Sequence, residues 1–285
     1  MLSQWHFDYR LKMTLNEFYT EWHSDSPTLL VHTSGSTGTP KPIYVEKERM
    51  LASACITCDF LNLQSGDSAL LCLPLDYIAG KMMVVRSIER NLNLTTVEPS
   101  NHPLKPFIPT NPQPTLSQRQ ILNSQFSILN SIKFDLIAMV PSQVYATLQS
   151  PEEAALLRQT RHLIIGGGSI SNDLQEQLKD FPNNVWNTYG MTETLSHIAL
   201  RKLNGKDASE WYTPFPSVEI SLTDENCLRI HAPLVNPEEL TTNDIAELNP
   251  DNLRQFRILG RKDNIICSGG IKLQIEQIEE ALRPL

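Results

Sequence analysis

The sequence lacks any apolar stretch long enough to cross a lipid bilayer, which takes about 20 apolar residues in a row. Its first thirteen residues mix tryptophan, histidine, aspartate, arginine and lysine, and they contain no apolar core of the kind that a secretory signal has. We therefore expect a cytoplasmic protein with no membrane insertion.

Positive charge and cysteine are also scarce. The chain has 24 lysine and arginine residues against 32 aspartate and glutamate residues, a formal net charge of −8. This balance argues against a nucleic acid or an anionic membrane as a partner. Five cysteines, an odd number, fit a reducing compartment. Cys55 and Cys58 form a C-x-x-C pair with no second pair near it, and we interpret them as part of one buried helix face.

The chain alternates strand-like and helix-like segments, which predicts an α/β fold with mixed sheets and flanking helices. Predicted strands occupy residues 70–73, 94–97, 136–140, 163–165 and 184–188, and predicted helices occupy residues 47–61, 77–90, 117–131 and 171–179. Five prolines between residues 101 and 115 predict an extended surface loop. Short strand-like runs at 218–222 and 227–231 predict a smaller β-rich subdomain.

One segment carries the chemistry of a phosphate-binding loop. Residues 33–41 read TSGSTGTPK and follow the apolar run at 29–31. Glycines allow close backbone approach, so amide and hydroxyl groups can surround phosphate oxygens while the lysine adds charge. The segment is not a Walker motif, because Pro40 follows Thr39. A solvated loop between two strands is the alternative. The candidate residues are Thr33, Ser34, Gly35, Ser36, Thr37, Gly38 and Lys41.

Two further motifs suit the rest of a nucleotide. Gly166, Gly167 and Gly168 follow the apolar run at 163–165, where a glycine turn lets a flat ring lie against the backbone. Residues 187–194 read NTYGMTET, in which a tyrosine next to a glycine can present its ring to an adenine. A glutamate after a threonine can hold a magnesium ion between phosphates. The alternative for the glycine motif is a tight turn, and the alternative for residues 187–194 is a threonine-rich helix start. The candidates in the second motif are Asn187, Tyr189, Gly190, Thr192 and Glu193.

Two charged residues nearer the end of the chain suit a ribose. Asp244 lies in the stretch TNDIA at residues 242–246, and a carboxylate can accept hydrogen bonds from two ribose hydroxyls. Arg261 opens the stretch RKDNIICSGG and is a candidate for holding the same sugar. The alternative for either residue is a surface ion pair of little energetic value.

Taken together and in this order, the motifs resemble those of the acyl-adenylate-forming, or AMP-binding, enzymes. The resemblance implies that Tyr189 stacks on adenine, that Thr192 contacts the phosphate and the acyl carboxylate, and that Glu193 binds the metal. It also implies a hinge at Asp263. The ligands it implies are ATP or AMP, Mg²⁺, a small carboxylic acid, and CoA as co-substrate.

Residues 73–86, LPLDYIAGKMMVVR, match the part of the family that forms the acyl pocket. Tyr77 and Gly80 fit the family pattern, whereas Lys81 and Arg86 are cations that could meet a second carboxylate on the substrate. The alternative is that both cations are solvated helix residues. The sequence of this segment is most similar to that of the o-succinylbenzoate–CoA ligases of menaquinone biosynthesis in Bacteroidetes-type bacteria, whose substrate is an aromatic dicarboxylate.

The resemblance also predicts the domain organisation. Residues 1–215 are expected to form an α/β AMP-binding core with a reduced N-terminal subdomain, residues 216–260 a β-rich subdomain, and residues 261–285 a hinge and the start of a shortened C-terminal domain. No residue matches the family's adenylation lysine, so we expect residues 1–285 alone to be weakly active or inactive. The alternatives to this function are another acyl- or aryl-CoA ligase, another adenylating enzyme, and a nucleotide-binding protein without ligase activity.

Overall fold

The computed structural model describes residues 13–33, 41–108, 133–268 and 271–274. Helices in these ranges are α1 (Leu15–Trp22), α2 (Lys47–Phe60), α3 (Ile78–Arg90), α4 (Pro141–Leu148), α5 (Pro151–Leu157) and α6 (Asn172–Leu178). The strands of the central sheet are β3 (Ser68–Leu71), β4 (Asn93–Thr96), β5 (Leu136–Met139), β6 (His162–Ile165), β7 (Asn184–Met191), β8 (Ser196–Lys202) and β9 (Thr213–Pro214). The remaining strands are β1 (Thr28–His32), β2 (Pro42–Glu46), β10 (Glu219–Leu222), β11 (Cys227–His231), β12 (Leu240–Asn249), β13 (Asn252–Arg261), β14 (Ile265–Ser268) and β15 (Ile271–Gln274).

The central sheet has seven strands in the order β4–β3–β5–β6–β7–β8–β9. Strands β3 to β7 pair in parallel, and β8 and β9 continue the sheet antiparallel. Every residue of β5 and β6 is buried, because parallel strands are covered by helices on both faces. The predicted α/β class is confirmed, and the five predicted strands lie within one to three residues of the observed ones.

Alternate residues of the central strands β3, β5 and β6 pack into different cores. Ala69 and Leu71 of β3 face a cluster that contains residues of α2 and α3, whereas Leu70 faces a cluster that contains residues of α4, α5 and α6. This period of two is what a strand imposes on its side chains. Cys58 is fully buried on the α2 side, and burial raises the pKa of its thiol to about 12. Both cysteines of the C-x-x-C pair lie on α2, but only Cys58 is on its buried face, since Cys55 is half-buried.

Two hairpins and a second sheet complete the described fold. Strands β10 to β13 form an antiparallel sheet, in which the β12–β13 register places Asp244 opposite Arg261. A bridge between Tyr212 and Phe256 connects this sheet to the region of β9. The predicted strands at 218–222 and 227–231 are confirmed as β10 and β11. Strands β1 and β2 form a hairpin, as do β14 and β15.

The proline-rich segment departs from its prediction where it is described. Residues Lys105–Phe107 form a short 3₁₀ turn, not an extended loop, and Leu104 beside it is fully buried. Pro106 is tolerated there because the first turn of a helix leaves its backbone amides unpaired anyway. Phe107 packs edge-on against Phe134, with ring centroids 5.3 Å apart. Pro109, Pro112, Pro114 and the predicted helix at 117–131 lie outside the described residues. In the described ranges, no helix is long and apolar enough to cross a membrane.

Candidate nucleotide-binding site

The candidate phosphate loop is closed at its base by two hydrogen bonds. The Thr33 amide donates to the Lys41 carbonyl at 3.0 Å, and the Lys41 amide donates to Thr33 Oγ1 at 3.0 Å. The hairpin of β1 and β2 therefore brings the two ends of the loop together, and the Thr33 hydroxyl has a structural role at its mouth. The predicted ligands Ser34, Gly35, Ser36, Thr37 and Gly38 lie outside the described residues.

The glycine turn follows β6 at the carboxyl edge of the parallel strands, where α/β proteins bind their ligands. A Cβ atom on Gly166 would lie 2.4 Å from Thr188 Oγ1 on β7, so a larger residue would displace the Thr188 side chain. Gly167 has a φ of +77°, which side-chain-bearing residues rarely adopt. The turn therefore favours glycine and lies directly beside the start of the Tyr189 motif.

Tyr189 near the end of β7 is held by aromatic contacts and by Asp244. Its ring meets Phe256 edge-on at 5.1 Å between centroids and lies 5.8 Å from the ring of Tyr212. Its hydroxyl donates to Asp244 Oδ2 at 2.6 Å. Burial and the Asp244 carboxylate raise the pKa of Tyr189 well above its usual value, so the phenol stays a hydrogen-bond donor. The structure therefore brings together the predicted adenine and ribose residues, which are 55 positions apart.

Asp244 also pairs with Arg261 across the β12–β13 hairpin. Arg261 Nη1 donates to Asp244 Oδ1 at 3.3 Å, while its Nε and Nη2 bond both oxygens of Asp263 at 3.1 and 3.0 Å. The Asp263 carboxylate raises the pKa of Arg261, and the arginine in turn lowers the pKa of Asp263. The ion-pair interpretation of these residues is confirmed, and it leaves lone pairs of Asp244 for a ribose.

Asn187 is 2% exposed, and its side chain is committed to the protein. Its Nδ2 donates to the Ile165 carbonyl at the end of β6 at 3.0 Å. Its Oδ1 accepts from Arg201 Nε at 3.0 Å and from the Tyr212 hydroxyl. Arg201, Tyr212 and Phe256 are not predictable from the sequence, because no local pattern marks residues that come from β8, from the position before β9 and from β13.

Thr192 and Glu193 form a 3₁₀ turn, Thr192–Thr194, directly after β7. Thr192 is 5% exposed, Glu193 is half-buried, and Asn236 Nδ2 donates to the Glu193 carbonyl at 3.0 Å. In the described part of the chain, no group of three or more metal-ligating side chains could hold an ion. A single carboxylate nevertheless fits Mg²⁺, which is usually held by one or two carboxylates together with substrate phosphates.

The acyl-pocket segment forms the start of α3. A Cβ atom on Gly80 would lie 2.1 Å from the Pro74 carbonyl oxygen, so glycine is needed for α3 to pack on the segment before it. Tyr77 is the residue before α3 and is 40% exposed. Lys81 is 2% exposed, with its Nζ 2.9 Å from Met13 Sδ and 5.6 Å from the centre of the Phe18 ring. Burial lowers the pKa of Lys81.

Arg86 lies deeper on α3 and is 1% exposed. Its Nη2 donates to Ser196 Oγ at 2.8 Å, and its buried Nε has no hydrogen-bond partner. Burial lowers the pKa of Arg86 to about 10. The alternative that Lys81 and Arg86 are solvated helix residues is wrong, since both are buried. They also contact different elements: Lys81 faces α1, and Arg86 faces β8.

Comparisons with known proteins agree with these motifs. The model of the AMP-binding enzyme family matches residues 9–235. An acyl-CoA synthetase (AMP-forming)/AMP-acid ligase II-like protein from Dyadobacter fermentans has a crystal structure that superposes with a TM-score of 0.72 at 35% identity, covering 94% of this chain and 69% of that one. An o-succinylbenzoate coenzyme A synthetase from Bacillus subtilis, in complex with ATP and magnesium ion, shares the fold at 21% identity with a TM-score of 0.62, covering 86% of this chain and 52% of that one.

The curated relatives that this chain matches include further CoA ligases. The 2-succinylbenzoate–CoA ligases of Salmonella typhimurium and Haemophilus influenzae are 26% and 24% identical, over 92% and 90% of this chain and 53% of each relative. The chain therefore spans about half the length of the curated relatives it matches. The family match covers most of the chain, from before β1 to the end of β11, and includes the phosphate-loop, glycine-turn and tyrosine motifs. This chain belongs to the AMP-binding enzyme family.

Proposed function

We propose that this chain carries the nucleotide and acid sites of an ATP-dependent acid–CoA ligase. A carboxylate oxygen of the acid attacks the α-phosphorus of ATP, the bond to the β-phosphate breaks, and pyrophosphate leaves. The thiolate of CoA then attacks the acyl carbon, and AMP leaves. The observation that carries the proposal is the contact of Tyr189 with Asp244 beside the glycine turn at the carboxyl edge of the sheet. This hydrogen bond links the Tyr189 ring, which would bind adenine, to the Asp244 carboxylate, which would bind the ribose.

In this reaction the protein contributes mainly position and charge. Tyr189 and the turn at Gly166, Gly167 and Gly168 would hold adenine, with Asn187 and Gly190 supporting the strand end beside it. Asp244, fixed by Tyr189 and Arg261, would accept the ribose hydroxyls. The residues assigned to the β- and γ-phosphates are Thr33, Ser34, Gly35, Ser36, Thr37, Gly38 and Lys41.

Thr192 and Glu193 are assigned to the reacting end of the nucleotide. Thr192 would contact the α-phosphate and the acyl carboxylate, and Glu193 would hold Mg²⁺ against the phosphates. The ion supplies positive charge that offsets the charge on the phosphate oxygens. Asp263, which Arg261 holds, would be the hinge to a following domain.

The acid we propose is o-succinylbenzoate, an aromatic dicarboxylate. Arg86 supports this choice, because a buried guanidinium with a free Nε offers one donor and a full charge to a second carboxylate. The names of the curated relatives support it too. Tyr77 and Gly80 would form the start of the acyl pocket. The contacts of Lys81 with Met13 and Phe18 favour Arg86 over Lys81 as the carboxylate partner.

Acid-dependent pyrophosphate exchange over a panel of acids tests this function. The assay uses the longest polypeptide that the gene encodes, and the panel compares o-succinylbenzoate with benzoate, succinate and medium-chain fatty acids. We expect exchange to depend on o-succinylbenzoate. Exchange with another acid would identify a different ligase, and ATP binding without exchange for any acid would identify a nucleotide-binding protein.

Replacing Tyr189 with alanine is expected to weaken ATP binding by about 1–2 kcal/mol, through loss of ring packing and of the bond that holds Asp244. Isothermal calorimetry on protein with an unchanged circular dichroism spectrum gives the value. Tyr145→Ala, which removes a tyrosine that is 54% exposed on α4, serves as the control. Unchanged ATP affinity in folded Tyr189→Ala protein would refute the adenine assignment.

Replacing Glu193 with glutamine keeps the side-chain shape but removes the charge that attracts Mg²⁺. We expect the enhancement of ATP affinity by Mg²⁺ to fall by about tenfold, whereas the affinity for AMP without metal stays as it was. The measurement is ATP binding across a magnesium titration. An identical magnesium dependence in the two proteins contradicts the metal role of Glu193.

A further inference from the structure

A buried polar cluster lies where α2, α3 and β8 meet. It consists of Thr57 on α2, Arg86 on α3, and Ser196 and His197 on β8. Thr57, Arg86 and His197 are 0%, 1% and 7% exposed. The Arg86 guanidinium contacts the Ser196 hydroxyl and, at 3.9 Å, the sulfur of Met83. Among the described residues, no carboxylate forms a salt bridge with this guanidinium.

The contacts of the cluster fit the Nε2–H tautomer of His197. The Thr57 hydroxyl donates to the Ser53 carbonyl at 3.1 Å and therefore accepts at its oxygen from His197 Nε2, which lies 3.0 Å away. An Nε2–H tautomer leaves His197 Nδ1 as an acceptor. Ser196 Oγ lies 3.4 Å from that nitrogen and can give it a proton. Ser196 Oγ then accepts from Arg86 Nη2 at 2.8 Å, so the donors and acceptors match along the series from Thr57 to Arg86, and Arg86 Nε is left without a partner.

The same arrangement keeps the histidine uncharged. Burial, and the positive charge of Arg86, lower the pKa of His197 well below its usual value. A charged imidazolium would carry a proton on Nδ1 and could no longer accept from Ser196. Arg86 therefore remains the cation of the cluster, and it is held by the Ser196 hydroxyl, which is itself bonded to the neutral His197 ring.

We propose that Ser196 and His197 are positioning residues for Arg86: the Ser196 hydroxyl accepts from the guanidinium, and neutral His197, its tautomer fixed by Thr57, orients that hydroxyl, so that the charge of Arg86 is left for the second carboxylate of the acid. The inference deepens the proposed function and rests on it. An internal carboxylate would have paired with Arg86 and cancelled its attraction for a substrate anion. A hydroxyl instead fixes one donor of the guanidinium and leaves its charge in a dry environment, where a ligand carboxylate gains most from it.

The structural half of the inference is testable without any ligand. Nitrogen-15 NMR of histidine-labelled protein reports the tautomer, and His197→Gln identifies the signal. We expect His197 to be the neutral Nε2–H tautomer at pH 7 and to stay neutral at pH 5. Thr57→Val, which keeps the side-chain shape, should shift the signal toward a mixture of tautomers. A charged His197 or an Nδ1–H tautomer in the unmodified protein would overturn the inference.

The functional half uses two stable sulfamoyl adenylate analogues, one with an o-succinylbenzoyl group and one with a benzoyl group. Ser196→Asp supplies a carboxylate to Arg86 inside the protein. We expect this variant to lose at least tenfold in affinity for the o-succinylbenzoyl analogue, with affinities for AMP and for the benzoyl analogue changed less than twofold. Thr57→Val should lower the affinity for the o-succinylbenzoyl analogue alone, by about threefold. This variant provides the test if Ser196→Asp does not fold.

Equal losses for both analogues, or no loss for either, would overturn the positioning role. Failure of the proposed function has a different appearance, because the unmodified protein would then bind neither analogue more tightly than AMP. The NMR result does not depend on that outcome. If the unmodified protein binds both analogues equally tightly, the second carboxylate of the o-succinylbenzoyl analogue has no partner in the protein, and the inference is wrong.

Discussion

Gly190→Ala is expected to lower the free energy of unfolding by about 3 kcal/mol or more, among the largest effects of any single substitution in the described residues. A Cβ atom on Gly190 would lie 2.0 Å from the Ser196 carbonyl oxygen and 2.4 Å from His197 Cα. Both atoms belong to the backbone of β8, which pairs with β7 at this point. The tight turn Thr192–Thr194 joins the two strands, so neither can move away cheaply.

Urea unfolding followed by circular dichroism measures this loss, with Gly168→Ala as the matched control. A Cβ atom on Gly168 would lie 3.6 Å from Pro141 Cγ, an ordinary van der Waals contact, so we expect a loss below about 1 kcal/mol. Because the clash at Gly190 is with strand backbone next to Tyr189, any folded Gly190→Ala protein should also bind AMP poorly. Two variants of equal stability would contradict the geometry of the β7–β8 turn.

Arg86→Met is expected to act in opposite directions on stability and on acid binding. The guanidinium is buried without a carboxylate partner, so a methionine of similar length removes a desolvated charge and should leave stability unchanged or raise it. Binding of o-succinylbenzoate in the presence of AMP should weaken by about 100-fold, the effect of removing one partner of a buried charge pair. The affinity for AMP itself should not change.

Lys81→Met is the matched control, because it removes a buried cation from the same helix. Lys81 contacts Met13 and Phe18 on the side of α1, so its loss should change acid binding less than threefold. Calorimetric titrations with the acid on both variants distinguish the two cations. If Lys81→Met loses the acid and Arg86→Met keeps it, the assignment of the second carboxylate to Arg86 is wrong.

The strands were predictable because their signal is local. Runs such as residues 163–165 are continuously apolar, and such runs become fully buried parallel strands. Helices α2 and α3 were predicted to within one residue at each end. Helices α1, α4 and α5 are only 7 or 8 residues long, too short for a clear helical periodicity, and were missed. The 3₁₀ turn at Lys105–Phe107 was missed because prolines usually mark loops.

The residue types of the site were predictable, but not their contacts. Asp244 and Arg261 looked separately like surface charges, and it is the register of β12 and β13 that makes them a pair beside Tyr189. The burial of Arg86 was also hidden, since a cation on a helix is usually solvated and only the packing of α3 against β8 encloses it. Contacts of this kind depend on tertiary structure, which no local pattern encodes.

The central claim is that nucleotide and acid bind side by side on this chain. Calorimetric binding of the sulfamoyl analogue of o-succinylbenzoyl adenylate to residues 1–285 tests it most directly, because the analogue joins both ligands and needs no catalysis. We predict binding at least 100-fold tighter than that of AMP, since the second half binds without a second loss of rotational and translational freedom. Binding no tighter than that of AMP would contradict the claim.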